Sequence, residues 1–160
     1  MVEEFASSNF AGISKNKESG KWKYSTPYSK SILNSITNRS LFDLARSLGW
    51  ETERELIPWS RVVSGEFDEV LAVGTAVICT PIGEIHRQSP LKGKEEEADP
   101  WCLNESQFGA SSSVETEIIQ ISGGEKWEGS HLLYDGLKRI QRGEDKDRKS
   151  WKWMWPEEGL

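Results

Sequence analysis

Cysteine is almost absent from this chain. Cys79 and Cys102 are the only two in 160 residues, too few and too far apart for a disulfide scaffold or a zinc site. A reducing compartment is the simplest reading. Long apolar runs are missing too, and no stretch approaches the length needed to cross a bilayer. Met1-Val-Glu-Glu-Phe5 has neither the basic start and apolar core of a secretory signal nor the arginines of a transit peptide. Net positive charge is also lacking. The formal charge is −6, so a phosphate backbone would repel the domain as a whole, which argues against general nucleic-acid binding. These absences leave an intracellular protein with neither nucleic acid nor a membrane among its expected partners.

The chain is long enough for one compact domain with its own core. Its hydrophobic share of 36% and charged share of 29% describe a globular but polar chain, part of it loop. Val2, Phe5 and Phe10 look like strand residues, so the start reads as the interior of a domain.

Residues 9–25 read as a hairpin: Phe10 to Ile13, a polar turn ending at Gly20, then alternation from Lys21 to Ser25. Thr26-Pro27 closes it. From Ile36 the period becomes helical, with Leu41, Phe42, Leu44, Ala45 and Leu48 on one face. Thr37 or Asn38 is expected to cap this helix and Gly49 to end it. Residues 51–57 alternate as a half-buried strand would, and Pro58 stops them. A short helix is expected over 60–66, and buried strand over 67–72 and 77–85, broken by Gly74-Thr75-Ala76. Between His86 and Thr116 the pattern fails. There Lys92 to Pro100 and Ser111 to Ser113 read as a solvated loop. Strand returns over 117–121, and a final helix over about 130–142 turns Leu133, Leu137 and Ile140 inward. The tail, 149–160, is rich in tryptophan and lysine and reads as a packed extension.

Two threonine-bearing turns could carry chemistry. At Ser35-Ile36-Thr37 a helix start exposes unpaired amides and the positive end of its dipole, where a phosphate fits. Thr37 as a plain cap explains the same residues. At Gly74-Thr75-Ala76 small residues leave the backbone open to an anion, although a strand-connecting turn would look alike. Glu4 stands near the first strand; a carboxylate beside a pyridine nitrogen keeps that nitrogen protonated. His86 and His131 have no partner spacing for metal binding or nucleophilic catalysis.

The order of these pieces resembles the branched-chain amino-acid aminotransferases. Glu4-Phe-Ala-Ser-Ser-Asn9-Phe10 is similar to the family's Glu-Val-Gly-Thr-Met-Asn-Leu/Ile-Phe segment. Thr26-Pro27 with Ile32-Leu33 and Ile36-Thr37 resembles its Thr-Pro-Pro and Ile-Leu-Pro-Gly-Ile/Val-Thr-Arg stretch. Gly74-Thr75-Ala76 looks like its Ser-Gly-Thr-Ala strand, and Ile140-Gln-Arg-Gly143 with Trp151 like its C-terminal helix. The resemblance runs from Glu4 to Trp151.

The resemblance implies pyridoxal phosphate as cofactor and a mixed α/β fold, a strand-rich pseudobarrel with helices around it, as in fold-type IV enzymes. Residues 1–148 would be part of the large C-terminal domain, with a loop insertion at 86–116 and the small N-terminal domain absent. Glu4 would meet the pyridine nitrogen. Ile36, Thr37 and Thr75 would hold the phosphate, and the Thr75 and Ala76 amides the substrate carboxylate. The family passes the amino group of leucine, isoleucine or valine to 2-oxoglutarate as a homodimer, in cytoplasm or mitochondria.

Its Schiff-base lysine lies ahead of the glutamate segment, where this sequence has nothing, so the chain alone is expected to be inactive. Asn34-Ser35 replaces Pro-Gly, and Asn38 stands where arginine is usual, beside Arg39. Two other readings stay open. One is a non-catalytic remnant that binds cofactor or pairs with a full-length relative. The other is a different fold-type IV enzyme, a D-amino-acid aminotransferase or an aminodeoxychorismate lyase.

Overall fold

A computed structural model describes residues 1–89, 115–121 and 127–145 of the chain. Most of the expected loop and the tail at 149–160 lie outside the described residues, as does Trp151. The elements in order are β1 (Glu4–Phe5), β2 (Ser8–Lys15), β3 (Trp22–Pro27), α1 (Ile36–Ser47), β4 (Glu51–Glu55) and α2 (Trp59–Val63). After them come β5 (Glu69–Gly74), β6 (Ile78–Pro81), β7 (Glu84–Ser89), β8 (Glu115–Gln120) and α3 (Glu128–Gln141). The fold is mixed α/β and strand-rich, as expected. Two units form. One is residues 1–83 with the described residues from 121 onward; the other is 84–120.

The first unit is built on a six-stranded sheet of order β4-β3-β2-β5-β6, with β1 added to the start of β2. All neighbours are antiparallel except β3 and β4, which α1 joins by crossing over the sheet. Period-two alternation splits the core between the two faces. Ala11, Ile13, Tyr24, Leu71 and Val73 pack with Leu41, Leu44 and Ala45 of α1 and Leu133, Leu137 and Ile140 of α3. On the other parity Phe10 meets Phe67 edge-on at 6.0 Å, beside buried Val62 of α2 and Val70. Gly12 lies on that second face, and glycine is required there because a Cβ would come within 2.4 Å of the Phe67 ring.

The helix faces follow the sequence spacing, with one exception. Leu48, expected inward, is exposed because it is the C-cap of α1, past the last inward turn. Gly49, at φ +81°, then takes the left-handed position. Its amide donates to the Arg46 carbonyl and that of Trp50 to the Ala45 carbonyl, which closes the helix.

The second unit is a two-stranded ribbon, β7 with β8, pairing Glu84 with Gln120 through to Ser89 with Glu115. This corrects two expectations. The strand expected over 77–85 is two strands, parted at Ile82-Gly83, and β7 continues past His86 into the stretch expected to be loop. Glu84, His86, Arg87, Thr116, Glu117 and Ile118 are exposed, so the ribbon carries little of the alternating burial that betrays a strand.

Two acids inside the first unit make its stability fall in alkali. Burial, and then the Glu69 carboxylate, pushes the Cys79 thiol up to about 11. Burial likewise raises the Tyr24 phenol above its ordinary value. Both groups hold their proton more tightly folded than unfolded, so the unfolded state sheds protons first as pH rises. The loss begins near the ordinary thiol value of about 8.5, and the Cys79 contribution is complete once pH passes about 11. Urea midpoints measured at ~pH 8 and ~pH 10.5 are expected to fall, and to fall less for Cys79→Ala. An equal fall in that variant would deny the thiol its part.

Candidate functional site

Three chain reversals gather at one end of the sheet, where β1 turns into β2, β3 leads into α1, and β5 turns into β6. Across the first, Glu4 stands opposite Asn9. Cross-strand partners present their side chains on the same face. Buried Asn9 donates from Nδ2 to Glu4 Oε2 at 3.1 Å and to the Leu33 carbonyl at 3.1 Å. The Leu33 amide donates to the same Glu4 oxygen at 3.3 Å. An otherwise exposed carboxylate is thereby held to one orientation.

At the start of α1 the cap is Ser35, not Thr37 or Asn38 as expected. Ser35 has φ −68° and ψ 128°, and its Oγ accepts from the Asn38 amide at 3.2 Å. Thr37 and Asn38 fall inside the first helical turn, where a cap's extended backbone is no longer available. The amides of Ile36 and Thr37 have no intrahelical acceptor and no other backbone acceptor among the described residues. The turn is pinned from below. Asn38 Oδ1 accepts from the Tyr24 hydroxyl at 2.8 Å, and its Nδ2 donates to Thr26 Oγ1 at 2.8 Å. Thr26 passes its own proton on to the Phe10 carbonyl at 3.2 Å.

The third reversal is a hairpin in which Gly74 pairs with Ile78 across the loop Thr75-Ala76-Val77. Ile78 has φ +63°, a left-handed conformation that a β-branched residue adopts at a cost of about 1–3 kcal/mol. Its side chain, 4% exposed, joins the core under α1 and α3, and that anchorage offsets the strain and fixes the loop from one end. The Thr75 and Ala76 amides have no backbone acceptor among the described residues.

A cleft of about 210 Å³ lies among these turns, walled by Glu4, Asn9, Leu33, Ser35, Gly74 and Thr75 with their neighbours. Of the residues singled out in the sequence, Glu4 and Thr75 line it. Ile36 and Thr37 open the helix just past its wall residue Ser35, and Ala76 follows Thr75 on the loop; none of the three is part of the wall. Ser35 and Asn9 are wall residues to which motif reading assigned no role of their own. Both lay within the quoted segments, Asn9 five residues beyond Glu4, and a two-residue turn at Ala6-Ser7 would have set them opposite each other. The cleft thus has a fixed carboxylate on one wall and hydroxyl and amide donors on others, a set suited to a ligand with a protonated ring nitrogen and an anionic group.

Among the described residues no three histidine, cysteine or acidic side chains are grouped to hold a metal ion. No described helix is long and apolar enough to cross a membrane.

No family model matches the chain. Single proteins do. Aminotransferase poxL of Penicillium oxalicum is 41% identical over 150 residues, which are 94% of this chain and 34% of that protein. Aminotransferase atnJ of Emericella nidulans is 34% identical over 152 residues, 94% of this chain and 36% of that protein. The chain is thus similar to aminotransferases over nearly its whole length, and it spans about a third of the length of these relatives. Branched-chain amino acid aminotransferase 2 of Humulus lupulus is 32% identical over 120 residues, 75% of this chain and 22% of that protein. Among solved structures, the branched-chain amino acid aminotransferase of Escherichia coli overlaps 51% of this chain and 25% of its own at a TM-score of 0.42 and 29% identity.

Proposed function

We propose that this chain forms the cofactor-cradling part of a branched-chain amino-acid aminotransferase that passes the amino group of leucine, isoleucine or valine to 2-oxoglutarate and works as a homodimer. The observation that carries this reading is one cleft walled by both Glu4 and Thr75, with the α1 start at its edge. Pyridoxal phosphate bound there would supply an electron-accepting ring. Glu4, held by Asn9 and the Leu33 amide, would meet the ring nitrogen. The Ile36, Thr37 and Thr75 donors would hold the phosphate, and the Thr75 and Ala76 amides would take a substrate carboxylate.

No lysine is among the wall residues of the cleft, so the chain by itself is expected to bind cofactor without transaminating. The same observation favours a second reading, in which the chain acts by binding cofactor or by pairing with a longer relative.

Titration of the purified chain with pyridoxamine 5′-phosphate tests the cradle, because this form has no aldehyde to react with surface lysines. Saturable quenching of tryptophan fluorescence is expected. Thr75→Val and Glu4→Gln should each weaken binding about tenfold, the effect of losing one charge-assisted hydrogen bond. Absence of saturation, or an affinity in both variants equal to that of the unaltered chain, would remove the proposal. Leucine and 2-oxoglutarate supplied with cofactor are expected to give no glutamate above background.

A further inference from the structure

A second cleft, of about 290 Å³, lies beyond Leu33 and Ser35, where β3 ends and α1 begins. Its walls include Lys30, Arg39 and Arg54 and no carboxylate at all. That is out of keeping with a chain of net charge −6. Elsewhere in the first unit Lys15, Lys23, Arg46, Arg61 and Arg142 are each paired with a carboxylate, while Lys17, Lys21, Lys138 and Arg139 form no such pair among the described residues. Among the described residues Lys30, Arg39 and Arg54 form no such pair. Glu3 accepts the hydroxyl protons of Ser29 and Ser31 at 2.7 and 2.8 Å but is not a wall residue.

The cleft is also built rather than incidental. Arg54 lies over the Phe42 ring, 5.1 Å from its centroid, so a buried aromatic of α1 sets the direction of the guanidinium. Thr26 and Asn38 in the floor are tied into the chain of bonds from Tyr24 to the Phe10 carbonyl, and so they hold the floor fixed. Arg39 enters from α1 and Arg54 from β4. Guanidinium forks grip carboxylates two oxygens at a time. Two forks carried on separate walls, with a lysine at the rim, suit a ligand charged at both ends.

We propose that this cleft is a second ligand site, for a small dicarboxylate. It is separate from the cofactor cradle and does not depend on that reading. Its role would be to let a short diacid bind beside the helix that opens the cradle, sharing Leu33 and Ser35 as a common wall.

The test is calorimetric titration of the full chain with glutarate, butyrate and inorganic phosphate at low ionic strength. Glutarate is expected to bind saturably, and butyrate about tenfold more weakly because it lacks the second charged end. Arg39→Gln and Arg54→Gln should each lower glutarate affinity about fivefold. Lys30 is exposed and makes no contact the fold depends on, so Lys30→Gln should weaken glutarate with an unchanged circular-dichroism melt. Thr75→Val should leave glutarate affinity as it was. Phosphate binding as tightly as glutarate, or loss of glutarate binding in Thr75→Val, would overturn the proposal, the latter by moving the anion into the neighbouring cradle. Glutarate affinity equal to that of the unaltered chain in all three cation variants would overturn it too. Failure of pyridoxamine 5′-phosphate to bind would leave these outcomes untouched and bear on the cradle alone.

Discussion

Replacing Glu69 by alanine is expected to cost the folded protein about 3 kcal/mol, read as a fall in the urea midpoint at unchanged slope. Glu69 is 2% exposed on β5. Its two oxygens accept from the Gly129 amide at 2.7 Å and the Ser130 amide at 2.8 Å, the first turn of α3. That helix has no cap of its own, since Trp127 at the cap position has φ +39° and offers no side-chain bond. The carboxylate therefore does a cap's work from the sheet. Removing it strands two buried donors and leaves the positive end of a fourteen-residue helix unopposed. Glu69→Gln separates the two effects. It keeps one acceptor but turns an NH₂ group toward the second amide, and an intermediate loss is expected. A loss under ~1 kcal/mol in the alanine variant would mean that α3 is held by Leu133, Leu137 and Ile140 alone.

Asn38→Leu is expected to destabilise by about 2 kcal/mol and to weaken ligand binding at the start of α1 as well. The side chain is the hinge pin between α1 and β3, accepting from Tyr24 and donating to Thr26. Leucine keeps the volume but leaves the buried Tyr24 hydroxyl without an acceptor. A Tyr24→Phe change in the same background should recover part of the loss, because both polar partners are then gone together. Stability falling in the single variant without recovery in the double would point instead to poor packing of leucine against β3.

Legibility in the sequence followed the range of the interactions involved. The inward faces of α1 and α3 could be read because Leu41, Leu44 and Ala45, or Leu133, Leu137 and Ile140, recur at the helical period whatever they pack against. The hairpin of β2 and β3 could be read from alternation and its polar turn. The β7–β8 ribbon could be read only in part, since Glu84, His86, Thr116 and Glu117 are exposed. Segment order pointed to Glu4 and Thr75, which both line the cleft, but not to the Asn9 side chain that holds Glu4 in place.

The sequence by itself determined most of the elements, the buried stripes of α1 and α3, the glycine that ends α1, and the likeness to aminotransferases. All of these rest on residues close together in the chain or on their order along it. Tertiary structure decided the rest. It chose Ser35 over Thr37 as the cap, because only Ser35 has the extended backbone that the approach from β3 imposes. It brought Glu69 to a helix start sixty residues away. It also set Glu4 and Thr75 on the walls of one cleft, and Arg39 and Arg54 on the walls of another that no carboxylate lines. Such pairings depend on which strands lie side by side, and strand order is fixed by the packing of the whole sheet rather than by any local pattern.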